Sequence, residues 1–210
     1  KAWNWNQKGE SRNHDKNRLP NPSANLAGSY ARAVISFTAQ QNQFVNQPDA
    51  LVHIGDMITF KDGSKGVVCY VNPDNPYSGW VVALQDLGNS TYKILKSTNN
   101  ADLPSITNYL TWPKDDKNDY TRYDLSTWNS LGKENTTKLF EKESPAALAL
   151  SNSNQYKLQN GWYIPDMLQL RQWYALFPII KSAVESNDGN LPPKGRNYWS
   201  SNCAKDNKNF

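Results

Sequence analysis

Two histidines, two cysteines and 19 acidic residues are the groups with which this chain of 210 residues could do covalent, metal or acid-base chemistry. His14 sits in a polar run and His53 just before an alternating apolar segment, and neither lies in a nucleophile motif, so a hydrolase triad has no centre to form around. A structural zinc site needs four nitrogen or sulfur ligands, and Cys69 and Cys203 stand far apart with few histidines to join them. Neither Gly-rich phosphate-loop pattern occurs, so no cofactor is implied. Asp115, Asp116 and Asp119 offer the hard oxygens that calcium prefers, but their spacing departs from the twelve-residue calcium loop and no Gly stands at its turn. A solvated turn explains them better. Two carboxylates for glycoside cleavage need only meet in space, which spacing alone does not decide.

The totals narrow the classes. The length suits one domain carrying an arm and is ample for a core. A hydrophobic fraction of 38% and a mean hydropathy of −0.78 describe a water-soluble chain, while 12% aromatic residues oppose disorder. No apolar run approaches a membrane helix, and no apolar signal core stands at the start. The chain begins at Lys1, which leads us to expect a processed product. A net charge of +4 spread along the chain forms no basic stripe, so nucleic acid is not an expected partner. Cys69 and Cys203 could pair in an oxidising compartment or remain two buried thiols.

The elements that would position functional groups are legible from period and punctuation. Residues 1–27 are rich in Asn, Lys and Ser without apolar period and read as an arm that need not pack on its own. Trp3 and Trp5 point to one side of an extended segment and could dock the arm or form a stacking platform. Residues 30–37 alternate, with Ala31, Ala33, Ile35 and Phe37 inward and Arg32, Val34 and Ser36 outward, the period of a half-buried strand. Residues 54–60 and 66–71 read as a hairpin around Asp62-Gly63, and residues 79–84 as a strand buried on both faces. Residues 85–123 show little period and read as a long excursion. A helix is expected over 133–143, and Ser144-Pro145 reads as the cap and first residue of another. Asp166, with Gln169 three residues on, marks a capping box for the best-patterned helix. Its stripe of Leu170, Trp173, Tyr174 and Phe177 should face the core, and after a break or kink at Pro178 the pattern should run on to Asp188-Gly189. Trp80, Trp162 and Trp199 complete the expected core.

Taken together, Ile54-Gly55-Asp56 through Val67-Val68, Gly79-Trp80-Val81-Val82-Ala83-Leu84, Asn135-Thr136 with Ser144-Pro145-Ala146-Ala147, and Gly161-Trp162-Tyr163-Ile164-Pro165 followed by Tyr198-Trp199-Ser200-Ser201 form a pattern over residues 51–201. In order and spacing it resembles secreted and surface proteins of Bacteroidetes-type bacteria with a C-type-lectin-like fold, including Fibrobacter-type major paralogous domains and targets of diversity-generating retroelements. The resemblance implies an α+β fold in which two helices flank a small antiparallel sheet. Residues 1–50 would be the arm and lead strand, and residues 51–210 the C-type-lectin-like domain. Members continue past the Trp-Ser-Ser segment through two more strands, whereas this sequence stops at Phe210, so the domain is expected to lack its last strands or to differ in architecture.

The function implied is non-catalytic: a secreted or surface module that binds a protein or glycan ligand or mediates adhesion. Its candidate ligand-binding residues are Asn202, Lys205, Asn207, Lys208 and Asn209, in the polar segment where the resemblance places exposed contact residues. Asn supplies both donor and acceptor and tolerates tight loops, which suits a surface that adapts to varied ligands. A lectin-like fold does not make a lectin, and neither a Glu-Pro-Asn nor a Trp-Asn-Asp run is present for calcium-dependent sugar binding. Formylglycine-generating oxidases share such a core and use a cysteine pair, which makes oxidase chemistry through Cys69 and Cys203 the enzymatic alternative. The other alternative is a subunit of a surface fibre or multidomain adhesin, in which the arm docks on a neighbour or residues 30–37 pair with another sheet.

Overall fold

At residues 62 and 63 the backbone must reverse between two strands, and Gly63 supplies the left-handed conformation this requires, with φ of +82°. The Asp62 carboxylate accepts the Ser64 backbone N–H at 2.9 Å and holds the turn closed. A computed structural model describes residues 2–6, 29–38, 51–88, 90–94, 132–191 and 197–203. On either side of the turn, β3 (Met57–Thr59) and β4 (Lys65–Asn72) pair antiparallel, with Met57 opposite Val67. A second reversal at Pro73 and Asp74 leads into β5 (Asn75–Ala83), which lies between β4 and β2 (Val34–Thr38) in a four-stranded sheet of order β2-β5-β4-β3. At Gly79 a Cβ would stand 2.0 Å from the Tyr70 carbonyl oxygen, so the close approach of β4 and β5 there depends on glycine.

The sheet is covered on both faces, which explains why the second half of β5, from Gly79 to Ala83, reads as a continuous apolar run. Ile35, Phe37, Val68, Val81 and Ala83 face one cluster, shared with Leu139, Ala146, Ala147, Leu150, Trp162 and Trp199. Val34, Val67, Cys69, Trp80 and Val82 face the other, shared with Leu170, Trp173, Ile180, Val184 and Tyr198. The expectation of a half-buried lead strand is corrected here. Val34 and Arg32 are buried beneath the second helical layer, and of the three outward positions only Ser36 is exposed.

Among the described residues four α-helices make the two layers, where the resemblance implied two flanking helices and the residue pattern marked three, the last broken or kinked at Pro178. α1 (Gly132–Glu141) and α2 (Pro145–Ser151) cover the first face. The Ser144 hydroxyl accepts from the Ala147 N–H and Pro145 occupies the first turn of α2, as the Ser-Pro pair predicts. α3 (Met167–Ala175) and α4 (Phe177–Glu185) cover the second. The capping box at the start of α3 is complete: Asp166 accepts from the Gln169 N–H at 2.9 Å, and the Gln169 side chain accepts from the Asp166 N–H at 3.0 Å. Because Asp166 is fully buried, its replacement by Ala leaves the Gln169 N–H without its acceptor and away from solvent. A loss of about 1–2 kcal/mol is expected, measured by urea unfolding of the two chains.

Pro178 ends the run of helix that began at Asp166. It has no N–H to bond four residues back, so the chain turns at Leu176 and restarts with Pro178 in the first turn of α4. The break rotates two expected core residues out of place. Tyr174 and Phe177 are only half-buried and stack on one another at 6.4 Å, while Ile180 and Val184 take the core positions. Leu170, Trp173, Trp80, Trp162 and Trp199 are buried as expected.

The start of the chain forms structure that its composition does not suggest. β1 (Ala2–Asn6) pairs antiparallel with β6 (Asn197–Cys203) in a separate two-stranded sheet, with Trp5 opposite Tyr198 and Asn4 opposite Trp199. β6 is joined to the body through Trp199 N–H to Tyr30 O at 3.0 Å and Ser201 N–H to Pro165 O at 2.8 Å. The outer edge of β2 is likewise occupied at Val34, which exchanges two backbone hydrogen bonds with Tyr163. Among the described residues, no helix is long and apolar enough to cross a membrane.

Candidate functional site

Four segments far apart in sequence bring a charged group into the second core layer. Arg32 precedes β2, Asp86 follows β5, Asn190 follows α4 and Tyr198 lies on β6. Arg32 is 1% exposed; its Nε donates to Asp86 Oδ1 at 2.7 Å, and one terminal nitrogen donates to the carbonyls of Ala83 and Leu84. The other terminal nitrogen donates to the Asn190 backbone and side-chain oxygens. The Tyr198 hydroxyl donates to the same Asp86 oxygen at 2.9 Å, and the guanidinium lies over the rings of Trp173 and Tyr198, 5.6 and 5.7 Å from their centroids.

Burial dominates the electrostatics of this cluster. It pushes the Asp86 carboxyl above the usual carboxylate range, while Arg32 and the Tyr198 hydrogen bond pull in the opposite direction. The Tyr198 hydroxyl is raised well above its ordinary value by burial, so it remains a donor to Asp86. Every arm of the guanidinium is engaged and both charged side chains are closed to solvent, so the arrangement acts as a clamp that joins β2, β5, α4 and β6.

The remaining titratable groups are placed as follows. Cys69 is a free, buried thiol that donates weakly to the Trp80 carbonyl, and burial pushes its pKa up to about 12, opposite to the depressed values of reactive cysteines. His53 is exposed, with Nδ1 3.5 Å from Asp56. Among the described residues no group of three His, Cys, Asp or Glu side chains could hold a metal ion. A second polar assembly runs from the surface into the core at the β3–β4 turn. There Asn160 donates to Asp62 at 2.6 Å and the Trp162 indole N–H donates to the Ser64 hydroxyl at 3.1 Å, tying the turn to the segment before Trp162.

Of the candidate ligand-binding residues, Asn202 lies in β6, directly after the buried Ser200 and Ser201. Lys205, Asn207, Lys208 and Asn209 lie outside the described residues, as do His14 and the Asp115, Asp116 and Asp119 cluster. Sequence reasoning missed the Arg32 clamp. Its one visible sign is the apolar Val34 two residues on, on the face that a period of two turns outward together with Arg32, which hints that this face is covered. Three buried polar atoms have no hydrogen-bond partner among the described residues: Asn135 Nδ2, Trp173 Nε1 and Ser201 Oγ.

No family model matches the chain, and neither a curated protein nor a solved structure matches it.

Proposed function

We propose that this chain is a non-catalytic ligand-binding or adhesion module with a C-type-lectin-like architecture, acting outside the cell as a secreted or surface protein of the Bacteroidetes type. Its ligand, a protein or a glycan, would meet the polar segment that continues from Asn202 through Lys205, Asn207, Lys208 and Asn209. One observation carries the reading: β6 is anchored at three of its residues immediately before that segment. Tyr198 is bonded to the Asp86–Arg32 pair, Trp199 is 1% exposed with its indole N–H on the Tyr92 carbonyl at 2.6 Å, and Ser201 is tied to Pro165. Binding residues are most effective when a rigid element presents them, because little order must then be gained on binding.

The test is a glycan and surface-protein binding screen with the full chain, followed by the double variant N207A/N209A on any ligand found. Affinity should fall by about tenfold or more while the unfolding midpoint stays within the small range of surface substitutions. Unchanged affinity moves the site elsewhere on the molecule. Among the alternatives, oxidase chemistry is disfavoured by the high pKa of the buried Cys69 thiol. The subunit reading gains from the pairing of β1 with β6, since a strand held apart from the main sheet is suited to joining chains.

A further inference from the structure

β1 is set apart from the rest of the fold in two respects. It pairs with β6 alone, in a sheet of two strands that is separate from the four-stranded sheet. Its register with β6 slips between Ala2 and Asn4, so even this short ladder is interrupted. Two-stranded ribbons are marginal by themselves, and among the described elements β1 rests on β6 and the flank of α3. In sequence, 22 residues (7–28) separate Asn6 from Ser29, the next described residue. A chain of that length spans at most about 75 Å when extended, enough to reach a neighbouring molecule of this size. β6, by contrast, has anchors through Tyr198, Trp199 and Ser201 that do not involve β1.

We propose that β6 is a strand-acceptor edge and that β1 is its exchangeable donor, seated within one chain when the protein is dilute and in a second copy of the same chain when it is concentrated. The occupant is a second copy because the register observed within the chain, Asn6 with Asn197, Trp5 with Tyr198 and Asn4 with Trp199, is available without alteration to the β1 of an identical molecule. Reciprocal exchange leaves both donor strands and both acceptor edges paired, so the dimer gives up no hydrogen bond that the monomer has. The cost is the association entropy, set against a tether whose effective concentration is in the millimolar range. Copies crowded on a surface or in a fibre reach that regime, whereas dilute chains do not. This inference stands apart from the ligand-binding reading, since it uses neither the segment after Cys203 nor any ligand.

The test places cysteines at one register pair, N6C with N197C, in a full chain that also carries C203S to remove the competing thiol; Cys69 remains buried. Antiparallel partners have Cα separations compatible with a disulfide. The protein is held at about 1 µM or about 1 mM, on either side of the tether's effective concentration, then oxidised and run on a non-reducing gel. Cross-linked monomer at the lower concentration and covalent dimer at the higher is the expected result. Cross-linked monomer at both concentrations overturns the proposal, as does a folded protein that forms no cross-link at either. The unaltered chain offers a second reading. A labelled synthetic peptide of residues 1–8 should be taken up by the full chain as its concentration is raised to the millimolar range, and no uptake overturns the exchange.

Discussion

Replacing Arg32 by Met should cost about 3–5 kcal/mol of folding stability, measured by chemical denaturation at neutral pH, because it strands the Asp86 carboxylate in the core without its counter-charge. The size of the loss comes from what is left behind more than from what is removed. Asp86 is 8% exposed, and in the variant its carboxylate retains the Tyr198 hydroxyl as a donor but loses the guanidinium. The carbonyls of Ala83, Leu84 and Asn190 lose donors at the same time. A second substitution separates charge from packing. Asp86→Leu added to Arg32→Met should restore a large part of the loss, since a buried pair exchanged for apolar side chains of similar volume is often close to neutral. The recovery stays incomplete because Tyr198 then lacks its acceptor. If the double variant is no more stable than Arg32→Met, the loss is one of packing and the buried charge is not its cause.

The same clamp sets the sign of a pH dependence. Burial raises the Asp86 carboxyl above its unfolded value, so its folded form takes up a proton more readily than its unfolded form. Its contribution is therefore most favourable below the unfolded carboxylate range and declines as pH rises through the folded pKa. Removing Arg32 takes away the positive charge that most strongly opposes that rise, so the shift grows and the window widens towards neutrality. The stability deficit of Arg32→Met should accordingly be largest at neutral pH and shrink as the solution is acidified towards the ordinary carboxylate range.

What the sequence disclosed and what it concealed divide along the reach of the interactions. Asp62-Gly63, Ser144-Pro145 and Asp166 with Gln169 act within three or four residues, and each forms the turn or cap its chemistry predicts. The double-sided burial of β5 from Gly79 to Ala83 was legible too, because an unbroken apolar run has few other uses. Arg32 was not. It lies 54 residues from Asp86 and 158 from Asn190, so its burial is decided by how the sheet, α4 and β6 close around it. A period of two places Arg32 outward with Val34 and Ser36, and only the second helical layer reverses that. The same holds for β1, whose polar composition conceals a strand that becomes ordered through a partner near the other end of the sequence. Tyr174 and Phe177 failed for a local reason. The stripe assumed one helix, and Pro178 makes two, turning both rings away from the core.

Trp162→Ala should be as damaging as the loss of Arg32, costing about 3–5 kcal/mol, and should act on a different part of the structure. Trp162 is among the largest fully buried side chains, packed edge-on against Phe60 at 5.5 Å and Tyr156 at 4.8 Å, so truncation opens a cavity lined by aromatic rings that small movements cannot fill. Its indole N–H also holds the Ser64 hydroxyl, which in turn bonds Asp62 at the β3–β4 turn. Trp162→Phe separates the two contributions: it keeps most of the volume and removes the hydrogen bond, and should cost about 1–3 kcal/mol. Ser64→Ala removes the same bond from the other side together with the Ser64–Asp62 bond, so it should cost less in Trp162→Phe than in the unaltered chain, because the two changes share one interaction. If the two losses add in full, the Ser64 contact is incidental and the stability of the turn comes from Asp62 and Gly63 alone. If they do not, Trp162 is what couples the surface turn to the core that also carries Trp199, and through Trp199 to β6.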